Sequence, residues 1–309
     1  MKPPERTLAH VALFTVNFLY GVNYVVAKGL MPGIIGPSGF ILLRVLGAGS
    51  LFWLLRAFHA ERVSGVDIGR LALCAFFGVA LNQLMFFHGL MRTSPLNASI
   101  IMVATPILVL VMASIVLKER TTWTRVGGVL LGACGALTLI LLKPAGGHSG
   151  ATALGDLIIL INAASYAVFL VIVKPLMRKY SAITVMAWCF LFALPMVAPF
   201  GWSELGAVGW HTLPGAHWAA LLFVVVMVTF VAYLLNTWAL AKVSPTVVGT
   251  YIYLQPVLAA SFTWLFVRLG ADRIGIPGQY DASLDVTQLV CAAAIFAGVY
   301  LVSKPERVG

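Results

Sequence analysis

Five groups of polar and aromatic side chains stand at helical spacing inside apolar sequence. Asn17, Tyr20, Tyr24 and Lys28 recur at steps of three and four, which is one face of a helix. Asn162, Ser165 and Tyr166 keep the same step in a second stretch. Asn82, Gln83 and Phe86 make a third group, Tyr233, Asn236 and Thr237 a fourth, and Tyr251 with Gln255 a fifth. Apart from Lys28 these side chains are neutral, and in hydrocarbon each polar one must find a partner or face water. Stripes longer than one turn on separate helices predict a shared aqueous cavity. Ordinary interhelical hydrogen bonding is the simpler use of the same residues. A neutral, hydrogen-bonding, aromatic pocket suits a small amphipathic organic solute better than a bare ion.

Charged groups at depth are scarce. None of the ten Asp and Glu falls midway along an apolar stretch; Glu119 and Asp156 lie at ends. A buried carboxylate or histidine relay for protons is therefore poorly provided, and movement down a gradient is the expected mode, with proton antiport through His88 or a terminal carboxylate as the alternative. His88, near a stretch end, reads as interfacial. Arg44 alone among the basic residues lies inside an apolar stretch, some 9 Å from its end at 1.5 Å per residue. Two roles are open to it: snorkelling to the headgroups, or presenting charge to a substrate carboxylate. The four cysteines are scattered singly in apolar runs. With no metal-ligand spacing, phosphate-cradling glycine loop or nucleophile–base pair, no metal, cofactor or enzymatic activity is expected.

The elements that must position these residues are membrane helices. Hydrophobic residues make up 61% of the 309-residue chain and charged ones only 10%, against roughly 25% charged in a soluble domain. Apolar stretches near the ~20 residues that cross ~30 Å of hydrocarbon fall at about 8–28, 38–57, 69–91, 95–117 and 124–142. A second set falls at about 155–174, 181–200, 217–241, 244–268 and 286–303. The first is long and polar-flecked enough that signal-peptide cleavage is not expected. Of the 20 Lys and Arg, fourteen lie at the two termini and in one alternate set of connections. Five (Lys28, Arg92, Lys143, Arg268 and Arg273) lie in the opposite set. Basic loops stay cytoplasmic, so both termini are expected inside. The net charge of +10 is thus a topology signal and not a nucleic-acid footprint. Trp53, Trp123, Trp202, Trp210 and Trp264 near stretch ends read as an interfacial belt.

The chain also repeats itself. Leu90-Met-Arg-Thr-Ser-Pro95 with Pro106 returns as Leu240-Ala-Lys-Val-Ser-Pro245 with Pro256, at an offset of 150 residues. Gln83 falls on Tyr233 at that offset. Lys28-Gly-Leu-Met31 matches Lys174-Pro-Leu-Met177, with Tyr20 on Tyr166 at an offset of 146, and Lys143-Pro144 matches Lys304-Pro305. Five spans per copy is an odd number, so the second copy must lie inverted, which places a site near the midplane between the halves. Pro106 lies eleven residues beyond Pro95, roughly 16 Å along a helix and about half the hydrocarbon depth. Such a proline removes one backbone hydrogen bond and frees a carbonyl on the preceding turn. Thr105 and Gln255, just before each proline, can help satisfy it. The matched pair predicts hinges at Pro106 and Pro256. The glycines at 127, 128, 132 and 135, and Ala292 to Ala294, Ala297 and Gly298, read as close-packing scaffold with room for a dimer seam.

With these features the chain resembles the drug/metabolite transporter superfamily, specifically EamA-type exporters with two EamA repeats. The resemblance rests on Ser94-Pro95, Ser244-Pro245, Pro106, Pro256, Lys118-Glu119-Arg120 and Tyr251-Ile-Tyr-Leu-Gln-Pro256-Val. It departs where Arg268-Leu269 replaces Lys118-Glu119, before a longer connection at 269–285. A role carried by Glu119 therefore cannot be copied to the second half. The resemblance implies an all-α protein of ten membrane helices in two inverted repeats, 1–146 and 147–309, with N and C termini inside. It implies export of small metabolites, amino acids foremost, across a bacterial-type inner membrane. The expected partners are a small-molecule substrate and the lipid bilayer, with no nucleic acid, in a monomer or weak homodimer. A non-transporting receptor or assembly factor, and an intramembrane enzyme, are the competing classes. The first has little loop in which to hold a partner, and the second lacks ionisable clusters at depth.

Overall fold

The computed structural model describes residues 3–58, 61–92, 101–119, 121–141, 152–269 and 286–303. Ser94-Pro95, Arg120, Lys143-Pro144, Arg273 and Lys304-Pro305 lie outside them. The described residues form helices and turns, with no strand. In chain order the α-helices are α1 (Pro3–Leu30), α2 (Pro37–Ala57), α3 (Gly65–Ala75), α4 (Leu81–Leu90), α5 (Ala104–Val116) and α6 (Trp123–Leu141). They continue with α7 (Ala153–Val173), α8 (Ala182–Gly206), α9 (Gly215–Phe223), α10 (Ala232–Lys242), α11 (Pro245–Thr250), α12 (Leu254–Leu269) and α13 (Val286–Ser303). Among the described residues, six segments are long and apolar enough to cross a bilayer: Glu5–Ala27, Pro37–Ala57, Gly65–Leu90, Ala153–Arg178, Ala182–Gly206 and Gly215–Lys242.

Local sequence explains where several helices begin. Thr152, Ser181 and Ser244 each cap a helix by accepting from the backbone N–H three residues on. Pro37 and Pro245 occupy first-turn positions, where their missing N–H costs nothing. The first turn of α2 receives a capping carboxylate from far along the chain, as Gly39 N donates to Glu204 Oε2 at 2.8 Å. Reciprocally, Glu61, just beyond α2, accepts from Ser181 N and Oγ at the start of α8 at 3.0 and 2.9 Å.

The packing carries the repeat. The strongest neighbours are α2 with α8 and α6 with α13. Beside these, α4 packs on α7 while α10 packs on α1, and α5 packs on α7 while α12 packs on α1. Exchanging the two halves of the chain maps this set of pairs onto itself. The close approach of α6 and α13 depends on glycine. A Cβ on Gly298 would stand 2.7 Å from Gly128 O and from Gly132 N, and one on Gly128 would stand 2.9 Å from Gly298 O. The small-residue faces anticipated from sequence thus meet one another inside the chain.

Two long helices widen into π-turns, at Phe76–Ala80 between α3 and α4 and at Val224–Val231 between α9 and α10. A π-turn shifts the hydrogen-bond ladder by one residue and leaves carbonyls to be satisfied elsewhere. Ser165 Oγ donates to Phe77 O at 2.6 Å, and Tyr233 donates to Gly78 O at 3.2 Å. Gly78 has no room for a side chain because the Phe169 ring lies against it.

Candidate functional site

A cavity opens among α1, α2, α4, α7, α10 and the broken helix α11–α12. About 110 Å³ of it admits the centre of a water-sized sphere, several times the ~10–15 Å³ that one water needs. That space suits a small organic solute. Asn17, Tyr20 and Tyr24 face it from α1, Asn82, Gln83 and Phe86 from α4, Asn162 and Tyr166 from α7. Tyr233 and Asn236 face it from α10, Gln255 from α12, and Arg44 from α2.

The wall is drawn from both copies of the repeat. Tyr20 and Tyr166, Gln83 and Tyr233, Phe86 and Asn236, and Met102 and Ile252 are repeat-related pairs, and all eight side chains lie on it. Met102 and Ile252 are four residues before Pro106 and Pro256, so theirs are the carbonyls that lose the α-helical N–H partner, and Ile252 O is met instead by Leu254 N at the end of the 3-10 turn. The helix yields at the same place in both copies. The α-helical run is interrupted at Val103 just before α5, and a 3-10 turn at Tyr251–Tyr253 separates α11 from α12.

Gln255 is the centre of one polar cluster. Its Nε2 donates to Asn17 Oδ1 at 3.0 Å, and its Oε1 accepts from Tyr24 at 3.3 Å. Asn17 Nδ2 donates to Leu13 O at 2.8 Å. A second cluster ties α4, α7 and α10: Asn162 Nδ2 donates to Asn82 O at 2.7 Å, and Asn236 Nδ2 to the Tyr166 hydroxyl at 3.0 Å. Other polar atoms of the wall have no hydrogen-bond partner, namely Asn23 Oδ1 and Asn162 Oδ1, while the Gln83 amide is directed to the Tyr233 hydroxyl. Phe86 meets the Tyr24 ring edge to face, with centroids 5.9 Å apart.

Arg44 does not snorkel. Its side chain is buried on the cavity wall, with Nε donating to Thr229 Oγ1 at 2.9 Å and the guanidinium over the Phe87 and Phe40 rings. Two anticipated residues lie off the wall. Thr105 is fully buried, and its hydroxyl has no partner. The Tyr251 hydroxyl is instead 3.0 Å from His10 Nδ1. The 3-10 turn explains this, since three of the four steps from Tyr251 to Gln255 turn by ~120° and not ~100°. The two residues that an unbroken helix would align are splayed apart. Sequence reasoning missed Asn23, Met102, Val248 and Ile252 as wall residues. The signal for Met102 and Ile252 was present, four residues before each repeated proline. The Trp53 ring is also not purely interfacial, since it packs on Trp188 and under the Arg56 guanidinium.

Away from the cavity, polar contacts bridge the two halves near the helix ends rich in basic residues. Lys179 and Tyr180 reach the Asp67 carboxylate at 3.0 and 2.9 Å, and Lys242 pairs with Glu5 at 3.1 Å. Glu119 pairs with Arg125 at 2.9 Å and accepts from Thr246 at 3.3 Å. Within the second half, Lys174 donates to the carbonyls of Leu240 and Val243.

The family model of the EamA-like transporters matches residues 7–141 and 153–273. The uncharacterized transporter YetK of Bacillus subtilis (strain 168) is 24% identical over 84% of this chain and 80% of its own length. A WAT1-related chloroplastic protein of Arabidopsis thaliana is 26% identical over 97% of this chain and 70% of its own. A probable terminal-alkyne amino-acid exporter of Streptantibioticus cattleyicolor is 24% identical over 64% of this chain and 66% of its own. One crystal structure superposes with a TM-score of 0.71 at 17% identity, covering 95% of both chains, a likeness of fold.

Proposed function

The chain belongs to the EamA-like transporter family, and from that premise we propose that it exports small organic metabolites, amino acids foremost, by alternating access around the central cavity. The observation that carries this reading is the composition of the cavity wall. Repeat-related side chains from both halves line one solute-sized space, and the two helix breaks flank it. A membrane protein whose halves exchange roles has two equivalent arrangements, one open to each side.

The proposal includes ten membrane helices in two inverted copies, 1–146 and 147–309, with both termini cytoplasmic. The exchange of packing partners between the halves supports the inverted pairing, and the distribution of Lys and Arg supports the orientation. A bacterial-type inner membrane is the proposed location, and a monomer or weak homodimer the proposed state. Catalysis is not part of the reading. Amino acids are proposed because a relative is named an amino-acid exporter, and because a neutral wall with one cation and several aromatic rings suits a small amphipathic solute. Among the described residues the cavity wall carries no carboxylate, which supports movement down a gradient over proton exchange.

Purified protein in liposomes, loaded with labelled amino acids and assayed with and without a pH gradient, tests the proposal. Counterflow of at least one amino acid, insensitive to the gradient, is the expected result. Liposomes that retain every solute as protein-free ones do would remove the transport reading.

A further inference from the structure

Arg44 is 4% exposed, yet among the described residues no carboxylate pairs with it. Among the described residues its one hydrogen bond runs from Nε to Thr229, and none of them offers an acceptor to the terminal amino groups. The Phe87 and Phe40 ring centroids lie 5.1 and 5.5 Å from the guanidinium carbon. Aromatic faces hold a cation in place without neutralising it. The titratable groups that act on it electrostatically are the Tyr20 and Tyr233 phenols, and among the described residues no Asp or Glu lines the cavity. An unpaired charge at this depth is costly unless something compensates it. A planar guanidinium matches a carboxylate through two parallel hydrogen bonds. Gln83 lies one helical turn before Phe87 and so on the same face, with its amide directed to the Tyr233 hydroxyl. It adds a polar amide to the same cavity wall as the cation.

We infer that the transported solute seats a carboxylate on the Arg44 guanidinium, and that the cavity selects small monocarboxylates as a class, with an amino group dispensable. This rests on the transport reading above. The asymmetry is one of charge. The wall balances a single negative charge, whereas an ammonium loses its water and meets neutral side chains with no carboxylate among the described residues. A solute lacking the amine avoids that desolvation. An amide or amine without the carboxylate leaves Arg44 unpaired.

Matched trios test the idea: leucine, leucinamide and 4-methylpentanoate, then phenylalanine, phenylalaninamide and 3-phenylpropanoate. Each is assayed for thermal stabilisation of the purified full-length protein and for counterflow in liposomes. The two carboxylates of a trio are expected to bind within a few-fold of each other, and the amide at least tenfold more weakly. Arg44→Gln should remove that tenfold preference, and Arg44→Lys should keep part of it. Thr229→Val frees Nε but keeps the charge, so acid-over-amide selection should survive. If Thr229→Val abolishes selection as completely as Arg44→Gln, Arg44 acts only as a helix tether and the inference falls. Acids and amides carried equally well would also overturn it while leaving the transport reading intact. No binding or counterflow by any of the six would overturn the inference, and the transport reading would fall with it only if the full amino-acid panel is retained as well.

Discussion

Gln255 joins α12 to α1 through both ends of its amide, donating to Asn17 and accepting from Tyr24. Removing the amide while keeping the volume strands two polar groups at once, and each stranded buried group costs about 1–3 kcal/mol. Gln255→Leu is therefore expected to lower the thermal unfolding midpoint in detergent, and an unchanged midpoint would dissolve the cluster as a stabilising unit. Glu61 makes a second residue-scale prediction. Burial pushes its carboxyl up, but hydrogen bonds from Thr184 and Ser181, with the nearby Arg56 charge, outweigh that and hold it below the ordinary range. Because the folded-state pKa is the lower one, its stabilisation is complete above the usual carboxylate range of ~4.3. It fades as pH falls through the folded value. The stability gap between the native protein and Glu61→Gln should be largest near pH 7 and close on acidification. A gap that widens in acid would contradict the assignment.

At the scale of elements, the prolines and glycines decide what the helices can do. Pro106 and Pro256 each take an N–H away from a residue on the cavity wall, so the helix there is already weakened at the point a hinge needs. The double variant Pro106→Ala with Pro256→Ala restores both hydrogen bonds and should slow counterflow several-fold while raising thermal stability. Unchanged rates would leave the breaks as static kinks. The α6–α13 contact makes the opposite demand. Gly298→Val would drive a side chain into the backbone of Gly128 and Gly132, atoms that yield only if the two helices separate. Overpacking of this kind costs about 1–3 kcal/mol or more. A lower yield of monodisperse protein is expected, and a normal yield with normal stability would show that the seam tolerates separation.

For the molecule as a whole, the inverted arrangement makes a geometric claim about sides. Lys28 and Lys174 close repeat-related helices, so they should face opposite compartments. Single cysteines at these two positions, on a background with Cys74, Cys134, Cys189 and Cys291 replaced, should react with a membrane-impermeant maleimide from opposite sides. Labelling from one common side would exclude the inversion. The reciprocal caps, Glu204 on the start of α2 and Glu61 on the start of α8, fit the same two-fold logic, since each helix ends where the other begins.

Helix placement, the repeat, the weak points before Pro106 and Pro256, and the neutral polar faces of α1, α4, α7 and α10 were legible in the residues alone. Each depends on local spacing, on apolar run length, or on proline's missing N–H. Only tertiary packing decided that Arg44 turns into the cavity and not toward headgroups, because that depends on Thr229 and Phe87, distant in sequence. It also sent Tyr251 to His10 through a 3-10 turn that an α-helical period does not anticipate, and it paired the glutamates with opposite helix ends. Periodicity sets the direction of a side chain on its own helix. What that side chain meets is set by which helix covers the face, and that is a property of the assembled bundle.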